Sequence, residues 1–406
     1  MKTVIAGGGA AGFFAAITCK SANPQAEVIV LENSSTVLGK VFLSGGKRCN
    51  LSNNISDPEL FSAQYPRGKR LMKQLFYRFN PKAVQAWFLD RGVQLKIEPD
   101  GRIFPASNKS QTIIDCLLNE TRRLNISVRT NCGIKDTTFR ETQPHFIIQL
   151  TNEEELNCDK LLIATGGTPD NEGIHIAKKL GHQIQKQIPS LFTFKISDQR
   201  INTLPGVSIQ DASITIPGTK FKARGGVLLT HHGLSGPAIL RLSSFAAKEL
   251  NEKNYNFSCR INWLPQFSPD QIQNRILSMK KKHPNSRILT EAALPLPKRL
   301  WNSLTAASGC YPEQKWSELS KVQSNALSEQ LRCSEFIVSG RDTNKNEFVT
   351  CGGIPLTEIE QASMESTICK NLYFAGEILD IDGVTGGFNL QAAWTTGYIA
   401  GISIAS

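Results

Sequence analysis

No apolar run in this sequence is long enough to span a bilayer, and no tract is of low complexity, which excludes a helical membrane protein and a disordered linker alike. There is no C-x-x-C pair either. The ten cysteines are scattered, no two closer than 16 residues, so neither a zinc site nor a disulfide framework is indicated and no metal is expected. That usage fits a reducing cytoplasm. At 406 residues, 40% hydrophobic and 20% charged, the chain is long enough for about two or three domains with sizeable cores. The net charge of +11 suits an anionic ligand or nucleic acid without establishing either.

What is present begins almost at once. "VIAGGGAAGFFAAI", residues 4–17, sits behind Lys2 and has two readings, a secretory signal or the first strand and helix of a nucleotide-binding fold. Gly7, Gly9 and Gly12 decide for the second, because they form G-x-G-x-x-G directly after a β-like run and directly before a helix-like one. The first glycine permits the tight turn, the second lets backbone approach a pyrophosphate, and the third lets the helix lie close to the sheet. A second strand, "EVIVLE", ends in Glu32, where a carboxylate can accept hydrogen bonds from ribose hydroxyls.

Further along, "NSSTVLGKVFLSGGKRCNLSNN" reads as a long polar loop carrying Lys40, Lys47 and Arg48, placed for cofactor contact. Residues 67–82 hold six cations and no acid; on a helix, Leu71, Met72, Leu75, Phe76 and Phe79 form one face and Lys69, Arg70, Lys73 and Arg78 lie off it. A solvated basic face is the favoured reading, RNA binding the alternative. "KIEPDGRIF" predicts a hairpin, 110–124 a helix, "ISVRT", "TTFRE" and "HFIIQL" a meander, and "DKLLIATGG" a return to the parallel sheet.

From about 190 the pattern turns to the strands of a second domain, and residues 266–333 look mainly helical. The expected organisation is a nucleotide-binding domain in two parts, 1–189 and 334–406, interrupted by an insertion over 190–333 that is β-rich to 265. In the last segment, "NLYFAGEILDIDGVTGGFNLQAAWTTGYIAG" reads as strand, glycine turn and helix. The helix start faces either a flavin or nothing beyond a closed sheet, and spacing leaves both open.

Six ordered stretches, "VIAGGGAAG", "GKVFLSGGKRCNLSNN", "EPDGRIFPASNKS", "LLIATGG", "LLTHHGLSGPAIL" and "NLYFAGEILDIDGVTGGFNLQAAWTTGYIAG", closely resemble the YhiN/BaiN-type bacterial flavoproteins, also called aminoacetone oxidase family FAD-binding enzymes or NAD(P)/FAD-dependent oxidoreductases. The resemblance runs over nearly the whole chain. It implies an α/β, Rossmann-like FAD domain of the two-dinucleotide-binding-domain kind, with a β-barrel-like and helical insertion. It implies Gly7, Gly9, Ala10, Ala11 and Gly12 at the FAD pyrophosphate and Glu32 at the adenosine ribose. Lys40, Ser44, Arg48, Cys49 and Asn50 would lie near pyrophosphate and flavin, and Thr165 and Gly166 on the adenosine side. Gly376, Glu377, Gly386, Gly387, Phe388, Asn389 and Leu390 would line the ribityl and ring side. Two departures stand out: Lys47 replaces a glycine of the usual S-G-G-G-R-C-N, and the loop after "ATGG" is shortened, which bears on the substrate side more than on FAD.

The expected activity is an FAD-dependent oxidoreduction of a small organic substrate by hydride transfer at the flavin, with NAD(P)H as a transient donor. No second G-x-G-x-x-G marks a separate pyridine-nucleotide domain. His231, His232 and Ser235 are the candidates for proton transfer or substrate contact, against a plain domain-docking turn. A flavoprotein that binds or modifies RNA, and a flavin-binding protein without turnover, are the alternatives.

Overall fold

The structure is a computed structural model that describes residues 1–342 and 349–406. It divides into two compact units, one of Met1–Ser190 with Lys345–Ser406 and one of Leu191–Asn344.

The first unit is built on a five-stranded parallel sheet. Its strands are β1 (Lys2–Ala6), β2 (Glu27–Leu31), β3 (Ser127–Arg129), β4 (Lys160–Ile163) and β5 (Leu372–Phe374), side by side in the order β3-β2-β1-β4-β5. All are short, and β1, β2, β4 and β5 are largely apolar, as strands covered on both faces must be, whereas the edge strand β3 is Ser-Val-Arg. Val4, in β1, is flanked by Ile29 and Leu161. The order reverses direction between β1 and β4, the topological switch point at whose carboxyl end open α/β sheets bind ligands.

Helix α1 (Ala10–Ala22) follows β1 and packs against the last helix of the chain, Phe388–Ala405, along glycines. A Cβ on Gly397 would sit 2.5 Å from the Ala11 oxygen, and one on Gly401 2.6 Å from the Ala15 oxygen. The two backbones touch because neither glycine has a side chain.

Two expectations for this unit need correction. The stretch "ISVRT" is not part of the meander: Ile29 pairs with Ser127 in parallel, because the helix Ser110–Arg123 carries the chain back along the sheet. The meander holds only Ile134–Phe139, Phe146–Leu150 and Glu155–Cys158. The long polar loop contains a helix, α2 (Gly39–Lys47), broken at Ser44, Gly45 and Gly46, where the two glycines take φ of 58° and 68°.

In the second unit, six antiparallel strands lie in the order Phe194–Lys195, Gly233–Ser235, Lys222–Thr230, Ser208–Thr215, Asn256–Asn262, Ser334–Ser339. The sheet closes on itself, for Lys195 N donates to Gly340 O at 2.9 Å and Phe194 bridges Arg341. Closure removes the sheet's edges. Ser334–Ser339, expected in the returning nucleotide-binding segment, thus belongs to this barrel. Its alternation puts Phe336 and Val338 in the core of the second unit, which also holds Trp263, Trp301 and Trp316.

Candidate functional site

The turn after β1 is built around atoms that leave no room for side chains. Gly7 has φ of 112°, and a Cβ there would lie 2.4 Å from the Ala164 oxygen at the end of β4. A Cβ on Gly12 would meet the Gly7 oxygen at 2.0 Å, so α1 packs directly on the turn. Gly9 differs, with nothing within 4 Å of its added Cβ, and it starts α1 without a side-chain cap. The helix therefore points N–H groups and the positive end of its dipole into open space.

Glu32, at the end of β2, forms the neighbouring wall. Its Oε2 accepts from Gly8 N at 2.9 Å, and its Oε1 accepts from Ser34 N at 2.8 Å and Ser34 Oγ at 2.7 Å. Four donors can crowd a carboxylate, so the group is oriented yet keeps acceptor capacity. Beside it, Thr165 Oγ1 donates to Asn171 Oδ1 at 2.8 Å, and Asn171 Nδ2 donates to Gly166 O at 3.0 Å.

On the far side, Gly387 (φ 94°) precedes the last helix, again without a side-chain cap. Asn389 clamps the preceding loop, accepting from Gly383 N at 2.8 Å and donating to Gly383 O at 2.9 Å. Lys40 of α2 reaches across to Glu377, Nζ to Oε2 at 2.6 Å, while Thr350 N donates to Glu377 Oε1 at 2.8 Å.

These walls enclose one cavity of about 590 Å³, within the range of small-molecule and cofactor sites. Of the expected residues, Gly7, Gly9, Ala10, Ala11, Glu32, Lys40 and Ser44 line it, as do Thr165, Gly166, Gly376, Glu377, Asn389 and Leu390. Sequence reasoning missed Ser34, Thr36, Leu43, Val349, Ile381 and Ala393, among others in the lining. Ser34 and Thr36 stood in the quoted polar loop, and only their closeness to Glu32 hinted at a role.

The rest of the expected set stands behind the walls. Arg48 pairs with Glu98 (2.7 Å) and lies over the Phe104 ring at 4.0 Å; this arginine holds the Glu98 carboxyl below its usual range. Cys49 is fully buried, and burial pushes its thiol up to about 12, so it is not a thiolate at neutral pH. Asn50 backs Gly45, whose Cβ would lie 2.8 Å from the Asn50 nitrogen. Gly12 packs within the turn, and a Cβ on Gly387 would strike the Ser52 oxygen at 2.4 Å. Gly386 lies against Phe388, whose carbonyl accepts from the Tyr65 hydroxyl at 2.7 Å. His231, His232 and Ser235 belong to the second unit, the histidines exposed on a barrel turn, whereas the cavity is lined by the first.

A buried chain of Ser366, His182 and Glu358 mimics a hydrolase triad, with both histidine nitrogens at 2.8 Å from their partners. Its chemistry is otherwise. Ser366 Oγ already accepts from the N–H groups of Ile368 and Cys369, and desolvation lowers the His182 pKa, so the trio ties the chain beside β5.

Two uncapped helix starts, an open backbone at Gly9 and an oriented acid at the end of β2 together fit an extended, doubly anionic dinucleotide. The fold and cavity define a Rossmann-type flavoprotein, the class that binds FAD. The chain belongs to the family described as HI0933-like protein Rossmann domain, which it matches over residues 1–403. It is 28% identical to the 3-dehydro-bile acid delta(4,6)-reductase of Clostridium scindens, over 98% of this chain and 97% of that protein. It is 29% identical to the ribosomal RNA dihydrouridine synthase of Escherichia coli, over 97% and 96% respectively. Among solved structures, the 3-ketosteroid-delta4-(5alpha)-dehydrogenase of Rhodococcus jostii shares the fold at 14% identity, with a TM-score of 0.53 over 100% of this chain and 96% of that one. Among the described residues no helix is long and apolar enough to cross a membrane.

Proposed function

We propose that this protein is an FAD-dependent oxidoreductase that saturates a carbon–carbon double bond conjugated to a carbonyl. The observation that carries the reading is a cavity lined beside two uncapped helix starts. The names of two relatives support the reaction class, since a delta(4,6)-reductase of a 3-dehydro-bile acid and a dihydrouridine synthase both act on such bonds. Bound FAD supplies hydride chemistry; the protein supplies binding, orientation and electrostatics.

In this reading the N–H groups at Gly9, Ala10 and Ala11 hold the pyrophosphate, and Glu32 accepts from the adenosine ribose. Lys40 adds positive charge over the phosphates. Asn389 and Leu390 present the start of the last helix to the flavin ring, whose reduced form gains negative charge there. NAD(P)H is the donor to test first.

A second reading changes only the substrate, from a small enone to uridine in RNA. The exposed basic helix at residues 69–76, followed by the exposed Tyr77, favours it.

The test is an anaerobic titration of the purified protein with NADH and then NADPH, followed at the flavin absorbance. Bleaching, then reoxidation by a 3-oxo-Δ4 steroid, is the expected result; reoxidation by uridine-containing RNA alone selects the second reading. A protein that takes up no FAD overturns both.

A further inference from the structure

The helix α3 (Lys69–Phe76) starts against the wall of the cavity. Its N-cap, Gly68, would place a Cβ 2.8 Å from Ile381, a cavity-lining residue, and the preceding Arg67 pairs with the buried Asp382. From that anchor the helix is about 12 Å long. Leu71, Met72, Leu75 and Phe76 are buried beneath it. The outer face carries Arg70 and, two turns on, Tyr77, whose side chain is 72% exposed, more than any other aromatic among the described residues. The exposed Lys82 follows at the start of α4 (Pro81–Leu89).

The charge on this face is incompletely neutralised. Glu59 engages Lys69 and Lys73, Asp57 caps the short helix Pro58–Ser62, and Arg78 donates to the Ala362 carbonyl. Among the described residues none pairs with Arg70 or Lys82. A large aromatic left in water, with a free cation on either side of it in sequence, is a poor core element and a good stacking platform for a base, and such cations suit phosphates. An enzyme acting on a base must receive it unstacked, from a strand held beside the cavity.

We propose that Arg70, Tyr77 and Lys82 form the landing surface for single-stranded RNA next to the flavin end of the cavity. The proposal rests on the RNA reading above and adds where the strand lies. Arg70 and Lys82 contact phosphates, and Tyr77 stacks on a base.

The experiment uses the flavin-loaded full-length protein and a short, labelled, uridine-containing single-stranded RNA, with binding followed by anisotropy from about 50 to 200 mM salt. Arg70→Gln and Lys82→Gln should each weaken binding and shallow the salt slope by about 0.7. Tyr77→Ala should weaken it roughly tenfold with the slope unchanged. Lys281→Gln, an equal charge change on an exposed residue of the second unit, should bind like the unaltered protein, and an unchanged flavin spectrum certifies the fold of each variant. If the unaltered protein does not bind RNA, the RNA reading falls and this surface with it. If it binds but the three variants bind equally well, or Lys281→Gln loses as much, the surface alone is refuted.

Discussion

A methyl group on Gly12 would sit 2.0 Å from the Gly7 carbonyl oxygen, whereas one on Gly9 meets nothing within 4 Å. The two glycines therefore answer to different constraints, one to packing and one to a ligand. Gly12→Ala should lower the thermal midpoint of the apoprotein through a clash of about 1–3 kcal/mol. Gly9→Ala should leave that midpoint in place and weaken FAD binding by at least about tenfold, because its Cβ occupies space meant for the pyrophosphate. Paired measurements of apoprotein melting and FAD affinity check both, and a Gly9→Ala protein that binds FAD normally would remove the phosphates from this turn. Cys49 illustrates the opposite lesson. Its neighbours in sequence suggested a cofactor contact, but only the fold shows that it is sealed under the turn.

Among the helices, α5 (Glu172–Lys179) carries a conflict in its first turn. A helix start and the Ile134 N–H both favour a charged Glu172, yet burial, aided by repulsion from Glu32, prevails and raises its carboxyl to about 7. A folded-state pKa raised from 4.5 means that the folded protein holds a proton the unfolded chain would release. The associated stability is complete below pH 4.5 and is lost as pH rises through about 7. Thermal midpoints across that window should fall for the unaltered protein relative to Glu172→Gln, in which this component is absent; parallel curves would show that Glu172 does not titrate there.

Elements governed by local rules were legible in the sequence. The glycine turn, the parallel strands and the amphipathic face of α3 follow from side-chain period and backbone sterics, and each is present. What escaped was set by distant partners. The edge strand β3 depends on pairing with β2, and Ser334–Ser339 on pairing with Asn256–Asn262. Helix α2 hides in a loop-like composition because glycines and a serine interrupt it, and the exposure of Tyr77 is set by packing that the sequence does not state.

At the scale of the molecule, two separate apolar cores support one cavity-bearing unit and one barrel-bearing unit, and most of the excess positive charge lies in the second. A ligand that binds only the folded first unit stabilises it by mass action. FAD at about a hundred times its dissociation constant should add about 2.7 kcal/mol to the unfolding free energy of the apoprotein, readable by calorimetry. A midpoint indifferent to FAD would show that the cavity does not take it.

The packing of α1 on the last helix, glycine against backbone, also sets a timetable. The cavity has one wall near residue 9 and another near residue 390, and both must be present before it exists. At about 5–20 residues per second of synthesis, the first wall waits on the order of 20–80 s for the second. Throughout that interval the nascent chain shows its glycine-rich turn without a roof, and the barrel, complete earlier, has time to form alone. Cofactor supply can therefore rescue only chains in which both walls have been made, and a ribosome that stalls before residue 390 leaves a glycine-rich turn with no cavity to serve.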